Sequence, residues 1–127
     1  VGIDLECDPA AEGLADDLQP QFAPEERAQL AGLHGAARDR AACRCWVRKE
    51  ALLKALGCGL AGDPARLAVS CGARARLLQS RWPGIDPDRW SLASVERPGQ
   101  WIGAAAQRGT AARLQLRHWR WTDLTSR

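Results

Sequence analysis

The sequence lacks the features that would indicate a membrane, secreted or nucleic-acid-binding protein. No apolar run approaches about 20 residues, the length of a membrane-spanning helix. No stretch combines the basic and apolar regions of a signal peptide. A net charge of +3 is too small to indicate nucleic-acid binding. We therefore expect a cytoplasmic protein that binds neither nucleic acid nor a membrane.

Cysteine and histidine form no recognisable metal or redox motif. Cys43 and Cys45 form C-x-C rather than the C-x-x-C of zinc and thioredoxin-like sites, and they lie on well-separated faces of a helix. We interpret His34 as a loop residue and His118 as a strand-end residue. We expect reduced thiols that pack as small hydrophobic side chains at all five cysteines, which are Cys7, Cys43, Cys45, Cys58 and Cys71.

The central part of the chain predicts one long helix. Residues 36–56 are rich in Ala and Leu and contain no Pro, and Gly57 supplies a stop. Trp46, Glu50 and Lys54 recur at four-residue spacing, so they stack on one side of this helix. The pattern therefore places a carboxylate and an ammonium on the same helix face.

These charges have two interpretations. Glu50 and Lys54 are an i, i+4 pair in the favourable order, which is common on exposed helices. Lys49, however, lies in the most apolar arc of a helix that is apolar nearly all round, as buried helices are. Unpaired buried charge is costly, so an anionic ligand together with a metal ion would explain the pattern.

The first six residues alternate as in a β-strand. Val1, Ile3 and Leu5 share one face, and Asp4 and Glu6 share the other. Two neighbouring carboxylates repel unless a cation or proton lies between them, and this oxygen pair suits Mg²⁺. The alternative is a solvent-exposed strand face that happens to be acidic.

The two segments together carry a specific resemblance. G-I-D-x-E at residues 2–6 is followed, some forty residues later, by W-x-x-K-E-A-x-x-K at residues 46–54. This combination resembles the 4'-phosphopantetheinyl transferase superfamily, and the tryptophan in the second motif resembles the surfactin-synthetase-activating type. The resemblance implies transfer of 4'-phosphopantetheine from coenzyme A to a serine of an acyl or peptidyl carrier protein, with Mg²⁺ as the cofactor.

The resemblance also implies roles for individual residues. Asp4, Glu6 and Glu50 would hold Mg²⁺, and Glu50 would also serve as the base that takes the serine proton. Lys54 would contact the phosphates and stabilise the leaving group. Lys49 is a second candidate for phosphate binding, although a purely structural role is open to it.

Transferases of the resembling type have two similar lobes, with the site between them. G-I-D-x-E begins the second lobe, so we expect this chain to be that lobe, partnered by a first lobe or by another copy of itself. Two alternatives stay open. The chain could be a non-catalytic lobe that binds Mg²⁺ and phosphate or acts as an interaction module, or it could self-associate as small holo-acyl-carrier-protein synthases do. A third reading is a structural domain whose motifs match by chance.

The remaining pattern indicates an α+β fold, with a small antiparallel sheet packed against the long helix. Short helices are expected from Asp8 to Pro20 and from Pro24, and strands over residues 67–71, 90–95, 101–106 and 114–121. Arg74, Arg76 and Arg81 form a basic stretch that could touch phosphate or an acidic partner, or could simply be a solvated face. Trp119 and Trp121 share one face of the last strand, as packing residues or as a stacking platform for a base.

Overall fold

The computed structural model describes residues 1–8, 13–58 and 62–109. Its helices are α1 (Leu14–Asp17), α2 (Pro24–Ala31) and α3 (Gly35–Leu56), and its strands are β1 (Gly2–Cys7), β2 (Leu67–Val69), β3 (Leu77–Ser80), β4 (Trp90–Arg97) and β5 (Trp101–Arg108). Strands β1, β5 and β4 form an antiparallel sheet in that order, and β2 pairs with β3 in a second sheet. The predicted α+β class, a small antiparallel sheet against one long helix, is confirmed.

The long helix α3 organises the molecule. It ends at Gly57, which has a φ of 72° and donates its backbone N–H to the carbonyls of Leu53 and Lys54. A left-handed residue at this position closes the helix and suits glycine, which has no Cβ to strain. The prediction of a helix over residues 36–56 is confirmed within one residue.

Small residues let α3 lie directly on the sheet. Ala104 and Ala106 of the central strand β5 are buried together with Ile102. Gly2 of β1 comes so close to α3 that a Cβ added there would lie 1.9 Å from the Ala51 carbonyl oxygen. The first strand therefore rests against the helix backbone itself, and this brings the two sequence motifs together.

The two faces of β1 have unexpected surroundings. The apolar row, which consists of Val1, Ile3 and Leu5, points away from α3 and is 84, 64 and 59% exposed. Asp4 is 9% exposed and faces the helix side. The alternative of a wholly solvated acidic face is therefore wrong for Asp4, whereas Glu6 is exposed.

Other predicted elements differ in extent. Strands predicted at residues 67–71, 90–95 and 101–106 correspond to β2, β4 and β5, whereas β3 was not predicted because its residues fall within the basic stretch. The helix expected from Asp8 begins only at Leu14 in the described part of the chain. The strand predicted at residues 114–121, with His118, Trp119 and Trp121, lies outside the described residues.

Within residues 1–8, 13–58 and 62–109, no helix combines the length and apolar character needed to cross a bilayer.

Candidate functional site

An ion pair joins the first strand to the long helix. The Lys54 ammonium donates to Asp4 Oδ1 at 2.8 Å and to the Ile3 carbonyl oxygen at 3.2 Å. The Asp4 side chain is 10% exposed, whereas the Lys54 side chain is 51% exposed, so this pair lies at the edge of the core. The hydrogen bond to Asp4 raises the pKa of Lys54, which therefore stays an ammonium.

The second oxygen of Asp4 has no hydrogen-bond partner among the described residues. Among the described residues, Asp4 Oδ2 is the buried side-chain atom that makes no hydrogen bond. A buried acceptor left unpaired costs about 1–3 kcal/mol, and more when it is charged. An oxygen of this kind is suited to a cation, which supplies the missing interaction.

Glu50 adds a third charged group on the same side of the helix. It lies one turn before Lys54 and is half-buried. Burial raises the pKa of Glu50, and the carboxylates of Asp4 and Glu6 raise it further against the opposing effect of Lys54. No ion pair within 4 Å joins Glu50 to Lys54 in the described structure, because the ammonium turns to Asp4 instead. The carboxylates thus outnumber the cations around Asp4.

The predicted metal ligands do not form a complete coordination site among the described residues. In the ranges that the structure describes, no three His, Cys, Asp or Glu side chains come close enough to hold a metal by themselves. Mg²⁺ commonly takes only one or two protein carboxylates and completes its shell with water and substrate phosphates. The chemistry of Asp4, Glu6 and Glu50, with the unpaired Asp4 oxygen among them, fits such an ion.

Lys49 lies away from this cluster. Its side chain is wholly buried, and its ammonium donates to Glu26 Oε1 and, at 2.8 Å, to the Leu67 carbonyl oxygen. Glu26 in turn accepts from the backbone N–H groups of Ala23 at 2.7 Å and Val69 at 2.9 Å. This network ties α2, α3 and β2 together, and it supports the structural alternative for Lys49; phosphate contact stays a prediction.

Sequence reasoning did not find the role of Glu26. The sequence shows it in the first turn of α2, where an acidic residue is favourable on local grounds alone. Its pairing with Lys49 joins residues 23 positions apart in the chain, and nothing local in the sequence signals it.

The thiols follow the prediction in part. Cys43, Cys45 and Cys71 are buried in the core, whereas Cys7 is exposed and Cys58 is half-buried. Burial raises the pKa of Cys43 to about 12, so this group is a neutral thiol at physiological pH. All five cysteines are free, and His34 lies in the exposed connection before α3.

Comparison with a protein-family model identifies the superfamily of the chain. No curated protein sequence matches the chain. A family model described as the 4'-phosphopantetheinyl transferase superfamily matches residues 1–119, which include both motif segments and all of α3. Because the match extends over most of its length, the chain belongs to the 4'-phosphopantetheinyl transferase superfamily.

Proposed function

We propose that this protein transfers the 4'-phosphopantetheine group of coenzyme A to a serine of an acyl or peptidyl carrier protein. Membership of the superfamily supports phosphopantetheine transfer in general. The observation that carries the specific proposal is the buried Asp4, which has one oxygen bonded to Lys54 and the other unpaired within the described structure. This is a charge arrangement suited to a cation and to the phosphates of a substrate.

Asp4, Glu6 and Glu50 are the proposed Mg²⁺ ligands. Support comes from the Asp4 oxygen that is unpaired within the described structure. It also comes from the Asp4 and Glu6 carboxylates, which raise the pKa of Glu50. A bound Mg²⁺ would neutralise and orient the pyrophosphate of coenzyme A.

Glu50 is the proposed base. As the serine oxygen bonds to the phosphorus that carries pantetheine, its proton passes to Glu50 directly or through a water molecule. The bond from this phosphorus to the bridging oxygen breaks, and 3',5'-adenosine bisphosphate leaves with the electron pair. The raised pKa of Glu50 favours accepting this proton.

Lys54 is the proposed phosphate contact. Its ammonium is half-exposed at the rim of the cluster, where it could reach a ligand without leaving the helix. Charge on the departing bisphosphate would be stabilised by this cation. Lys49 stays the second candidate for phosphate contact, and its bonds to Glu26 and to the Leu67 carbonyl oxygen support the structural alternative.

We further propose that a second lobe completes the site. The apolar row on β1 is exposed on the face away from α3, as expected of a surface that packs against another unit. A first lobe of the surfactin-synthetase-activating type and another copy of this chain are both candidates for that unit. The free cysteines are typical of a reducing compartment, so we propose a cytoplasmic location.

The test is a transfer assay with coenzyme A, Mg²⁺ and a panel of carrier proteins, read by intact-mass spectrometry. We expect one carrier to gain the mass of one phosphopantetheine group, and Asp4→Ala and Glu50→Ala to abolish the gain while the protein stays folded. Asp16→Ala is the matched control, because Asp16 is an exposed carboxylate paired with Arg38. Wild-type rates in either site variant would refute the assignment.

Calorimetry of coenzyme A binding, with and without Mg²⁺, separates the alternatives. Metal-dependent binding accompanied by self-association in light scattering would favour a synthase that assembles from copies. Metal-dependent binding without any transfer would favour a non-catalytic lobe. The absence of a three-ligand group among the described residues is the observation that keeps this second function in consideration.

A further inference from the structure

A basic pocket lies at the β4 edge of the three-stranded sheet, the edge opposite to β1. Its volume is about 390 Å³. Residues 74–77 form one wall, Pro87 and Asp88 a second, and the start of β4 with Trp90 and Leu92 a third. The pocket contains none of the residues proposed for transfer.

The arginines around this pocket form no ion pair with the described residues. Elsewhere in the described part of the chain, several arginines are paired with carboxylates, namely Arg38, Arg40, Arg44, Arg81 and Arg89. Across the described ranges, no carboxylate lies within 4 Å of Arg74, Arg76 or Arg108. Arg108 is instead stacked over the Trp90 ring, with its guanidinium carbon 5.7 Å from the ring centroid. Asp88 is the one acidic residue among the described residues of the lining, which also include Arg74 and Arg76, so this lining is positive overall.

Hydrogen bonds to Ser70 hold the loop that carries Arg74 and Arg76 in place. Ser70 Oγ donates to the Arg74 carbonyl oxygen at 2.6 Å and accepts from the Arg76 backbone N–H at 2.8 Å. Beneath them, Arg48 is fully buried and donates to the Ser70 carbonyl oxygen at 2.5 Å and to Ser94 Oγ at 3.0 Å. The backbone at both arginines is therefore positioned before any ligand arrives, which lowers the entropic cost of binding.

Arg48 also contributes charge. Its guanidinium bonds to serine and carbonyl oxygens, and no carboxylate in the described part of the chain contacts it. Burial lowers the pKa of Arg48, but an arginine stays charged under all ordinary conditions. A buried cation that no carboxylate of the described residues contacts adds to the positive potential of the adjacent 74–76 loop.

We propose that this pocket is a docking surface for an acidic segment of a partner protein. Its positive charges come from two separate parts of the chain, the 74–76 loop and the end of β5, so several spaced carboxylates match them better than one compact anion. Trp90 and Leu92 add an apolar wall, and tryptophan with arginine is the composition typical of interface hot spots. The proposal is independent of the proposed transferase activity.

The experiment measures fluorescence anisotropy of a fluorescein-labelled glutamate-leucine peptide titrated with the full chain. We expect saturable, salt-sensitive binding that the double variant Arg74→Gln/Arg76→Gln weakens about tenfold, because two complementary charges are lost. The matched control is Arg27→Gln/Arg66→Gln, which removes the same charge from two exposed arginines that donate to backbone carbonyl oxygens. This control should stay within about twofold of wild type.

Two results would overturn the proposal. Equal weakening in both double variants would mean that the peptide responds only to net charge. Displacement of the peptide by inorganic phosphate or pyrophosphate at far lower concentration than by unlabelled peptide would mean that the pocket holds a small anion. Arg74→Gln/Arg76→Gln should not alter folding, since both side chains are exposed and bond to no residue in the described structure, and circular dichroism verifies this.

Discussion

Replacing Asp4 by alanine should leave the protein at least as stable as before while removing its response to Mg²⁺. The substitution deletes a carboxylate that is almost buried, yet one of its oxygens makes no hydrogen bond with the described residues. A residue kept for stability would show the opposite behaviour. The variant therefore separates a binding role for Asp4 from a structural one.

Two opposing contributions set the change in the free energy of unfolding of Asp4→Ala. Losing the bond to Lys54 costs roughly 0.2–1 kcal/mol, because the Lys54 side chain is half-exposed and solvent screens the pair. Removing the buried, unpaired oxygen should raise the free energy of unfolding by about 1–3 kcal/mol. Relief of repulsion on Glu50 acts in the same direction as the second term. We expect a net change between roughly zero and 3 kcal/mol of stabilisation.

Urea unfolding with and without Mg²⁺ measures both consequences. Wild type should gain stability with Mg²⁺ by about 1.4 kcal/mol for each tenfold excess over the dissociation constant, and Asp4→Ala should gain none. The control Asp16→Ala loses an exposed pair only, so it should be destabilised by less than about 1 kcal/mol and should keep the Mg²⁺ response. Destabilisation of Asp4→Ala by more than about 2 kcal/mol would refute the reasoning.

Three further predictions test how the site is supported. Gly2→Ala should destabilise the chain by several kcal/mol, on the order of the largest single-residue effects, because the new Cβ would overlap the Ala51 carbonyl of α3; thermal unfolding measures this, and an unchanged midpoint would contradict the close packing. Lys49→Met should cost about 3–5 kcal/mol by leaving the Glu26 carboxylate buried without its cation, and Lys49→Met/Glu26→Gln should recover part of that loss. A stable Lys49→Met protein with weakened coenzyme A binding would instead establish the phosphate role. Because the folded-state pKa of Glu50 is raised, the folded protein binds the Glu50 proton more tightly than the unfolded chain does, so the stability should fall as pH rises from about 4.5 through the higher folded-state pKa. Mg²⁺ should oppose this loss of stability and release the proton, which calorimetry in buffers of different ionisation enthalpy would measure. A Glu50→Gln variant should lack both the pH dependence and the proton release.

Local sequence determined the elements that make the site possible. The Ala- and Leu-rich run and the Gly57 stop gave α3 its limits within one residue, because helix propensity and a left-handed cap act over a few neighbouring positions. Alternation in the first residues likewise predicted β1. The four-residue spacing placed Glu50 and Lys54 on one side of the helix, independently of the rest of the chain.

Only the tertiary structure decided which face of each element is buried and which charges meet. Alternation in β1 is symmetric, and the contact of Gly2 with the backbone of α3 is what turns Asp4 inward and the apolar row outward. Lys54 has Glu50 one turn away along its helix, but its partner is Asp4, 50 positions distant. Lys49 and Glu50 are neighbours in sequence, yet one is enclosed with Glu26 while the other joins the carboxylate cluster. Sequence patterns report periodicity within a segment, whereas burial and ion pairing depend on how segments pack, and that packing assigned these two residues to different environments.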